Sequence, residues 1–192
     1  VYETSVRTYG MKMLENKAQS AKVKTLIVDM LNYGAEAQKH FAYNEADLAN
    51  AQLTEEQKAL ATAPVTCVNN HVKGENVHGT NLTLDDQILL NLFFKNVKKG
   101  YTAKIVFTDF RGKTKTIEKE LVPYSGSVYK IVVDDIVLAD AFSVITATVY
   151  DANGNVHGSM TDSIESYVAR AKETSLNEAI MKFASSAREY LN

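Results

Sequence analysis

Cysteine and tryptophan are the two residue types that this sequence almost or entirely lacks. Its 192 residues include one cysteine, Cys67, and no tryptophan. A single cysteine excludes a disulfide within the chain and leaves no second thiolate for a metal-binding cysteine pair. The absence of tryptophan removes the strongest aromatic platform for stacking on a sugar. This absence weakens the case for carbohydrate binding without excluding it.

An excess of charge of one sign is also missing. The net charge is −2, and the lysines and arginines are scattered along the chain, so the sequence shows no basic patch for nucleic acid or an anionic membrane. No apolar run approaches the roughly 20 residues that span a bilayer, and there is no signal-peptide or lipidation motif. We expect no nucleic-acid partner and no membrane insertion. The hydrophobic content of 45% is enough to bury a real core.

Two segments at opposite ends of the chain resemble each other. Ser5–Tyr9 aligns with Ser163–Tyr167, and Leu31–Ala37 aligns with Met181–Ala187. Two helical segments therefore bracket one middle segment, and we predict a first domain over residues 1–63, a second over 64–162 and a third over 163–192.

Helical periodicity runs through residues 1–63. Ser5 is the predicted N-cap of a first helix that extends to about Glu15. Thr54-Glu55-Glu56-Gln57 has the form of a capping box and predicts a short third helix over about Glu55–Ala61. Between them, a second helix is predicted to form a helical hairpin with the first. Its continuous apolar stripe consists of Val23, Leu26, Ile27, Met30, Gly34, Ala37 and Phe41.

Residues 163–192 return to helical periodicity and predict a second hairpin. A short helix begins near Ile164, and a capping box of Ser175 and Glu178 starts the next. If the two ends of the chain are alike, Tyr33 and Phe183 occupy equivalent inward positions. The stripe of the last helix consists of Leu176, Ile180, Phe183, Ala184, Ala187, Tyr190 and Leu191. Four tyrosines on such stripes are predicted to lie in the core: Tyr9, Tyr33, Tyr167 and Tyr190.

The middle segment has the alternation and the β-branched and aromatic content of strands. Two links, Asp109–Gly112 and Asp151–Gly154, place Asp first and Gly fourth, which favours type I turns that close hairpins. We predict strands at about Val65–Val68, Asn81–Leu84, Gln87–Lys95, Thr102–Asp109, Lys113–Leu121, Ser127–Val133, Ser143–Tyr150 and Asn155–Thr161. The predicted fold class is α+β, an antiparallel immunoglobulin-like β-sandwich flanked by N-terminal and C-terminal helical hairpins.

Three stretches carry a resemblance to a known group of proteins. The runs Val144–Asn155 and Asp162–Tyr167, with the helical stretch Met30–Gln38, are similar to repeat modules of large uncharacterised secreted or cell-surface proteins of Gram-positive gut anaerobes. The second helical copy departs from that pattern, with Phe183-Ala184 where Tyr-Gly is usual. The resemblance implies an extracellular, multi-module protein and no known activity, cofactor or catalytic residue.

Reactive side chains do not form a recognisable motif. The four histidines, His40, His71, His78 and His157, are dispersed and form no pair with zinc-site spacing. Cys67 and His71 lie four residues apart, and a thiolate with an imidazole is the minimal arrangement for a nucleophile. In a strand and loop, however, this spacing does not require the two side chains to meet. The oxygen-rich stretch Asp151–Asn155 is explained by a hairpin turn, because it lacks the spaced acids and closing Glu of a calcium loop.

Acidic pairs and loop tyrosines complete the candidates. Adjacent acids at Asp85-Asp86 and Asp134-Asp135 commonly support turns. Tyr101, Tyr124 and Tyr129 lie in or near loops, where they could stack on a ligand. We predict no catalytic residue, no metal site and no cofactor.

These observations favour a non-catalytic structural or adhesive module of a larger secreted or cell-surface protein, whose partners are the neighbouring modules of the same polypeptide. The alternative is a ligand-binding module for a glycan or a host or matrix protein. The alignment of Ser5 with Ser163 also places Val1–Thr4 on Ser159–Asp162, so we expect the chain to begin within a repeating unit, at the tail of a strand.

Overall fold

The computed structural model describes residues 5–84, 87–172 and 174–192, and the prediction that Val1–Thr4 form a strand tail lies outside this range. The described chain is an α+β structure with two antiparallel sheets. Its helices are α1 Val6–Glu15, α2 Ala21–His40, α3 Glu55–Lys58, α4 Ile164–Arg170 and α5 Ser175–Leu191, and its strands are β1 Val72–Lys73, β2 Val77–Leu84, β3 Ile88–Phe94, β4 Thr102–Thr108, β5 Thr114–Lys119, β6 Val122–Ser125, β7 Val128–Val133, β8 Ile145–Tyr150 and β9 Val156–Asp162.

The chain divides into two compact units. The helical unit consists of the described residues of Val1–Thr66 and Lys172–Asn192, and the β unit consists of those of Cys67–Ala171. This grouping differs from the predicted ranges, because the two C-terminal helices fall in different units. Helix α4 packs against β2 in the β unit, whereas α5 packs against α2 in the helical unit.

Side-chain caps set the starts of the helices in the helical unit. Ser5 Oγ accepts a hydrogen bond from the Thr8 N–H (3.0 Å), so the predicted N-cap is confirmed. The capping box of Thr54 and Gln57 is also formed. The start of α5 was predicted wrongly by one residue, because Thr174 Oγ1, and not Ser175, accepts from the Asn177 N–H.

Helix α2 buries a wider face than its predicted stripe, because it packs against both α1 and α5. The buried side chains of α2 include Ile27, Val28, Leu31 and Ala35. On α5, Met181 is buried beside the predicted Ile180 and Ala184. The prediction that Tyr9 and Tyr190 lie in the core is wrong, because both are exposed near the outer ends of their helices, as are Phe41 and Leu191 of the predicted stripes.

The third helix is shorter than predicted. It ends at Lys58. Leu60 and Ala61 donate hydrogen bonds to the third residue back instead of the fourth, such as the Leu60 N–H to the Gln57 carbonyl (3.0 Å), so the helix does not continue to Ala61.

The β unit holds a five-stranded sheet in the order β1-β9-β8-β4-β5 and a four-stranded sheet in the order β2-β3-β7-β6. Both predicted hairpin turns are present, since β4 pairs with β5 across Asp109–Gly112 and β8 with β9 across Asp151–Gly154. The larger sheet buries alternate residues, among them Ile105, Phe107, Ile145, Ala147 and Val149, whereas in the smaller sheet β7 buries Ile131 and Val133 and β3 is buried at every position from Leu90 to Phe94.

The predicted strand Val65–Val68 is absent, and the reason lies in α4. The Val68 N–H donates to Glu165 Oε1 (3.1 Å), and the Asn70 N–H donates to Ser166 Oγ (2.8 Å). Side chains of a helix therefore satisfy the backbone groups that a neighbouring strand would otherwise bond.

Candidate functional site

The three tyrosines proposed for ligand stacking lie at separate places in the β unit. Tyr101 precedes β4 and packs edge-on against His157, with ring centroids 4.9 Å apart. Tyr129 on β7 pairs with the fully buried Phe94, so these two residues share the inner face of the smaller sheet. Tyr124 on β6 is 59% exposed. The structure thus does not bring the three tyrosines together, and Tyr124 lines a cleft without the other two.

This cleft, which we call the Tyr124 cleft, lies on the smaller sheet and has a volume of about 260 Å³. Tyr124 packs edge-on against Phe93, with ring centroids 4.8 Å apart. Phe93 belongs to the outer face of the sheet, because its neighbour Phe94 points into the core and successive strand residues alternate. The cleft is lined by His78, Gly79, Thr80, Asn81, Phe93 and Tyr124.

Asn81 is held in one orientation by its partner across the strand pair. Asn91 Nδ2 donates to Asn81 Oδ1 (2.9 Å) and to Thr83 Oγ1 (2.8 Å). The Asn81 oxygen is therefore occupied, and its two amide N–H groups have no protein acceptor within the described residues. A primary amide with a fixed oxygen presents two donors in a fixed plane.

Asn91 itself carries an unusual buried atom. It is 2% exposed, and its Oδ1 is a buried side-chain oxygen without a hydrogen-bond partner in the part of the chain that is described. Such an atom costs about 1–3 kcal/mol of desolvation. Asn91 thus carries a cost in stability, while its Nδ2 group holds Asn81 and Thr83 by hydrogen bonds.

Gly79 leaves the wall of the cleft open. A Cβ built on Gly79 would meet no other atom within 4 Å. Gly79 pairs with Phe93 across the strands, and cross-strand partners share a face of a sheet. The missing side chain therefore contributes directly to the space beside Phe93.

An ionic network borders the cleft at Thr80. Arg170 Nη2 donates to Thr80 Oγ1 (3.2 Å) and to Asp162 Oδ2 (2.7 Å). Asp162 is fully buried and also lies 3.1 Å from His71 Nδ1. A buried carboxylate needs such partners to offset its desolvation. The network fixes α4 on β2, and we assign it a structural role.

The Cys67 and His71 pair lacks the properties of an activated nucleophile. Burial, together with the negative charge of Glu165, raises the pKa of the Cys67 thiol above its ordinary value. The reactive thiolate is thereby disfavoured. The imidazole of His71 is directed to Asp162 instead.

The remaining histidines do not converge. The His40 ring packs edge-on against Phe41, and His157 Nε2 lies 3.0 Å from the Lys95 carbonyl oxygen. Within residues 5–84, 87–172 and 174–192, no group of three or more His, Cys, Asp and Glu side chains is arranged to hold a metal ion.

The acidic candidates accept hydrogen bonds within turns or form ion pairs with lysine. The hairpin interpretation of Asp151–Asn155 is confirmed, because Asp151 Oδ1 accepts from the N–H groups of Asn153 and Asn155, both at 2.9 Å. Asp134 and Asp135 both bind Lys119 Nζ. The other pair, Asp85-Asp86, lies outside the described residues.

A second cleft of about 180 Å³ lies in the helical unit, and its acids already have partners. Asp29 accepts two hydrogen bonds from Thr62. Glu178 pairs with Lys182 at 2.7 Å. Lys39 and the Ser175 hydroxyl both donate hydrogen bonds to Glu36. Partial burial of the Glu36 carboxyl raises its pKa, but these two bonds outweigh that effect, so the pKa lies below its ordinary value.

Sequence reasoning found Tyr124 but missed the other cleft residues. One signal was available, because alternation along Val77–Leu84 places Gly79, Asn81 and Thr83 on one face of a strand. The pairing that brings this face next to Tyr124 is long-range, and local periodicity does not contain it.

Comparison with known protein families, with curated proteins and with solved structures returned no match to this chain. Of the helices that the structure describes, none combines the length and apolar character needed to cross a membrane.

Proposed function

We propose that the chain is a non-catalytic structural or adhesive module of a larger secreted or cell-surface protein. In this proposal the β unit is an immunoglobulin-like sandwich, and helical hairpins join successive modules. Two features support a sandwich. Strands of both sheets, such as β7 and β8, bury alternate residues, and a Cβ built on Gly158 of the larger sheet would lie 3.3 Å from Phe94 of the smaller one.

The observation that carries this proposal is the difference in burial between two similar helices. Ser5 and Ser163 cap α1 and α4 in the same way, each accepting from the N–H three residues later. The residue that follows the cap is 2% exposed in α4 (Ile164) but 66% exposed in α1 (Val6). Ile164 is covered within the β unit, whose strand β2 packs against α4. By analogy, the exposed face of α1 fits a second β unit of the same kind.

Tyr9 extends this exposed face and provides a probe. It corresponds to Tyr167 of α4, which is half-buried, yet Tyr9 is 57% exposed. A tyrosine on a structural helix that no neighbour covers leaves apolar area in water, at about 25 cal/mol per Å². A neighbouring module would remove this area.

The test compares the chain with the natural polypeptide lengthened upstream by about 100 residues, the size of one sandwich module. We expect Tyr9 to become protected from chemical nitration in the longer protein and the melting temperature of the helical unit to rise. Tyr43, which is also exposed, serves as the control and should react equally in both proteins. Equal reactivity of Tyr9 in both, or an upstream segment without β structure, would refute the tandem-module proposal.

The alternative function, binding of a glycan or a host or matrix protein, is favoured by one feature, the Tyr124 cleft.

A further inference from the structure

We infer that the Tyr124 cleft binds a single sugar ring, such as the terminal residue of a glycan chain. This inference develops the ligand-binding alternative and does not depend on the tandem-module proposal, because all of the residues that carry it belong to the β unit of one chain.

The size of the cleft sets the size of the ligand. Pockets for drug-sized molecules measure about 300–1,000 Å³, and the Tyr124 cleft at about 260 Å³ lies below that range. One six-membered ring with its hydroxyl groups fits this volume better than a folded peptide or a dinucleotide does.

The chemistry of the lining matches a sugar ring. Tyr124 is largely exposed yet supported from the side by Phe93. The face of an aromatic ring carries partial negative charge, which attracts the C–H groups on the flat side of a pyranose. An aromatic residue that is fixed from one side also loses little conformational entropy when a ligand stacks on it.

The polar groups of the lining suit hydroxyls. The two N–H donors of Asn81 are fixed by Asn91, and their acceptors would be sugar oxygens. His78 is exposed on the same strand and offers ring nitrogens that donate or accept. A cleft with an aromatic platform and a few oriented polar groups binds a ligand that is itself apolar on one face and polar at its edges.

Binding is measured by NMR titration of the whole chain with the methyl glycosides of glucose, galactose, mannose, N-acetylglucosamine and glucuronic acid. We expect at least one of them to produce saturable shifts at the backbone amides of Gly79, Asn81 and Phe93. Tyrosine amide is titrated in parallel as a non-sugar aromatic ligand.

Three variants locate the binding within the cleft. Tyr124→Ala removes the platform and should weaken binding about tenfold. Asn81→Asp keeps an oxygen for Asn91 but removes both donors, and we expect a similar loss. Gly79→Val adds a side chain at a position where a Cβ meets no other atom within 4 Å, so it should fill the open space and abolish binding while the protein stays folded, as judged from the NMR spectrum.

Tyr101→Ala is the matched control, because Tyr101 packs against His157 and does not line the cleft. Its affinity should equal that of the unchanged protein. The inference is overturned if no glycoside shifts the cleft amides, if binding survives Gly79→Val, or if tyrosine amide binds in the cleft and the glycosides do not.

Discussion

Two glycines mark points at which helices of the helical unit come close to their neighbours. A Cβ on Gly10 of α1 would lie 3.1 Å from Ile27 Cγ2, and one on Gly34 of α2 would lie 3.1 Å from Ala49 Cβ. Both distances are shorter than ordinary carbon contacts of about 3.5–4.0 Å. The absence of a side chain at these positions therefore sets how closely the segments pack.

Replacement of Gly34 by leucine should destabilise the protein by about 1–3 kcal/mol, because the new side chain overpacks the contact with Ala49. The measurement is the midpoint of urea unfolding. The double variant Gly34→Leu with Ala49→Gly provides the control, since it restores part of the space and should recover part of the loss. An unchanged midpoint for the single variant would show that Gly34 faces solvent.

Asp29 is a buried carboxylate that is hydrogen-bonded to Thr62. It is 1% exposed and accepts from both the N–H (3.1 Å) and the hydroxyl (2.5 Å) of Thr62. Thr62→Val removes the hydroxyl donor and should cost about 1–3 kcal/mol of unfolding free energy. Thr62→Ser keeps the hydroxyl and should lose much less, and equal losses for the two variants would refute this account.

At the scale of elements, the two Asp-to-Gly turns are the clearest link between sequence and local structure. The Lys113 N–H donates to Asp109 Oδ1, and the Asn155 N–H donates to Asp151 Oδ1, both at 2.9 Å. These bonds hold the pKa of each carboxyl below its ordinary value. Both turns close with a glycine at positive φ, Gly112 and Gly154.

The lowered pKa values predict a loss of stability in acid. The folded turns favour the ionised carboxylate, so their contribution is present above the unfolded aspartate pKa of about 3.9 and is lost as the pH falls toward the lower folded pKa. We expect the double variant Asp109→Asn with Asp151→Asn to show a flatter decline in melting temperature between pH 6 and pH 3. Glu15→Gln, outside both turns, should leave the decline unchanged, and an unaltered slope in the double variant would contradict the prediction.

The sequence predicted elements well where one local interaction determines them. Caps at Ser5 and Thr54 located two helix starts, and alternation located most of the long strands, such as β4 and β8. The alternation of apolar residues did not locate the two-residue strand β1 or the strand β6, whose short sequence contains Pro123. Neither is long enough to show a period, and pairing with a neighbouring strand decides both.

Contacts between distant segments account for what could not be predicted. The Tyr124 cleft combines β2 and β3 with β6, which is separated from β3 by β7 in the sheet. Likewise, α5 packs on α2 through apolar faces that are far apart in the sequence, and the periodicity of each helix does not show which faces meet. The likeness of the chain's two ends indicated two similar helices, and their contact is visible in the stacked rings of Tyr33 and Phe183, 5.8 Å apart.

At the scale of the whole molecule, the stability of the helical unit depends on its C-terminal helix. Ile180 of α5 is fully buried, and its replacement by alanine should cost about 2–5 kcal/mol. Leu191→Ala is the control on the same helix, because Leu191 is 43% exposed and should change stability little. Calorimetry of both variants tests the prediction, and similar melting temperatures for the two would mean that α5 contributes no core.

The order of the units along the chain has a mechanical consequence. The chain enters the β unit at Cys67 and leaves it at Ala171, while the segments before and after it belong to the same helical unit. Tension applied to the two ends is therefore borne first by the contact between α2 and α5, and the sheets are shielded until these helices separate. In single-molecule pulling, we expect rupture of the helical unit to precede extension of the β unit, and Ile180→Ala to lower the force of the first event only. A chain built in this way would lengthen in steps under load, with its strands still paired after the first step.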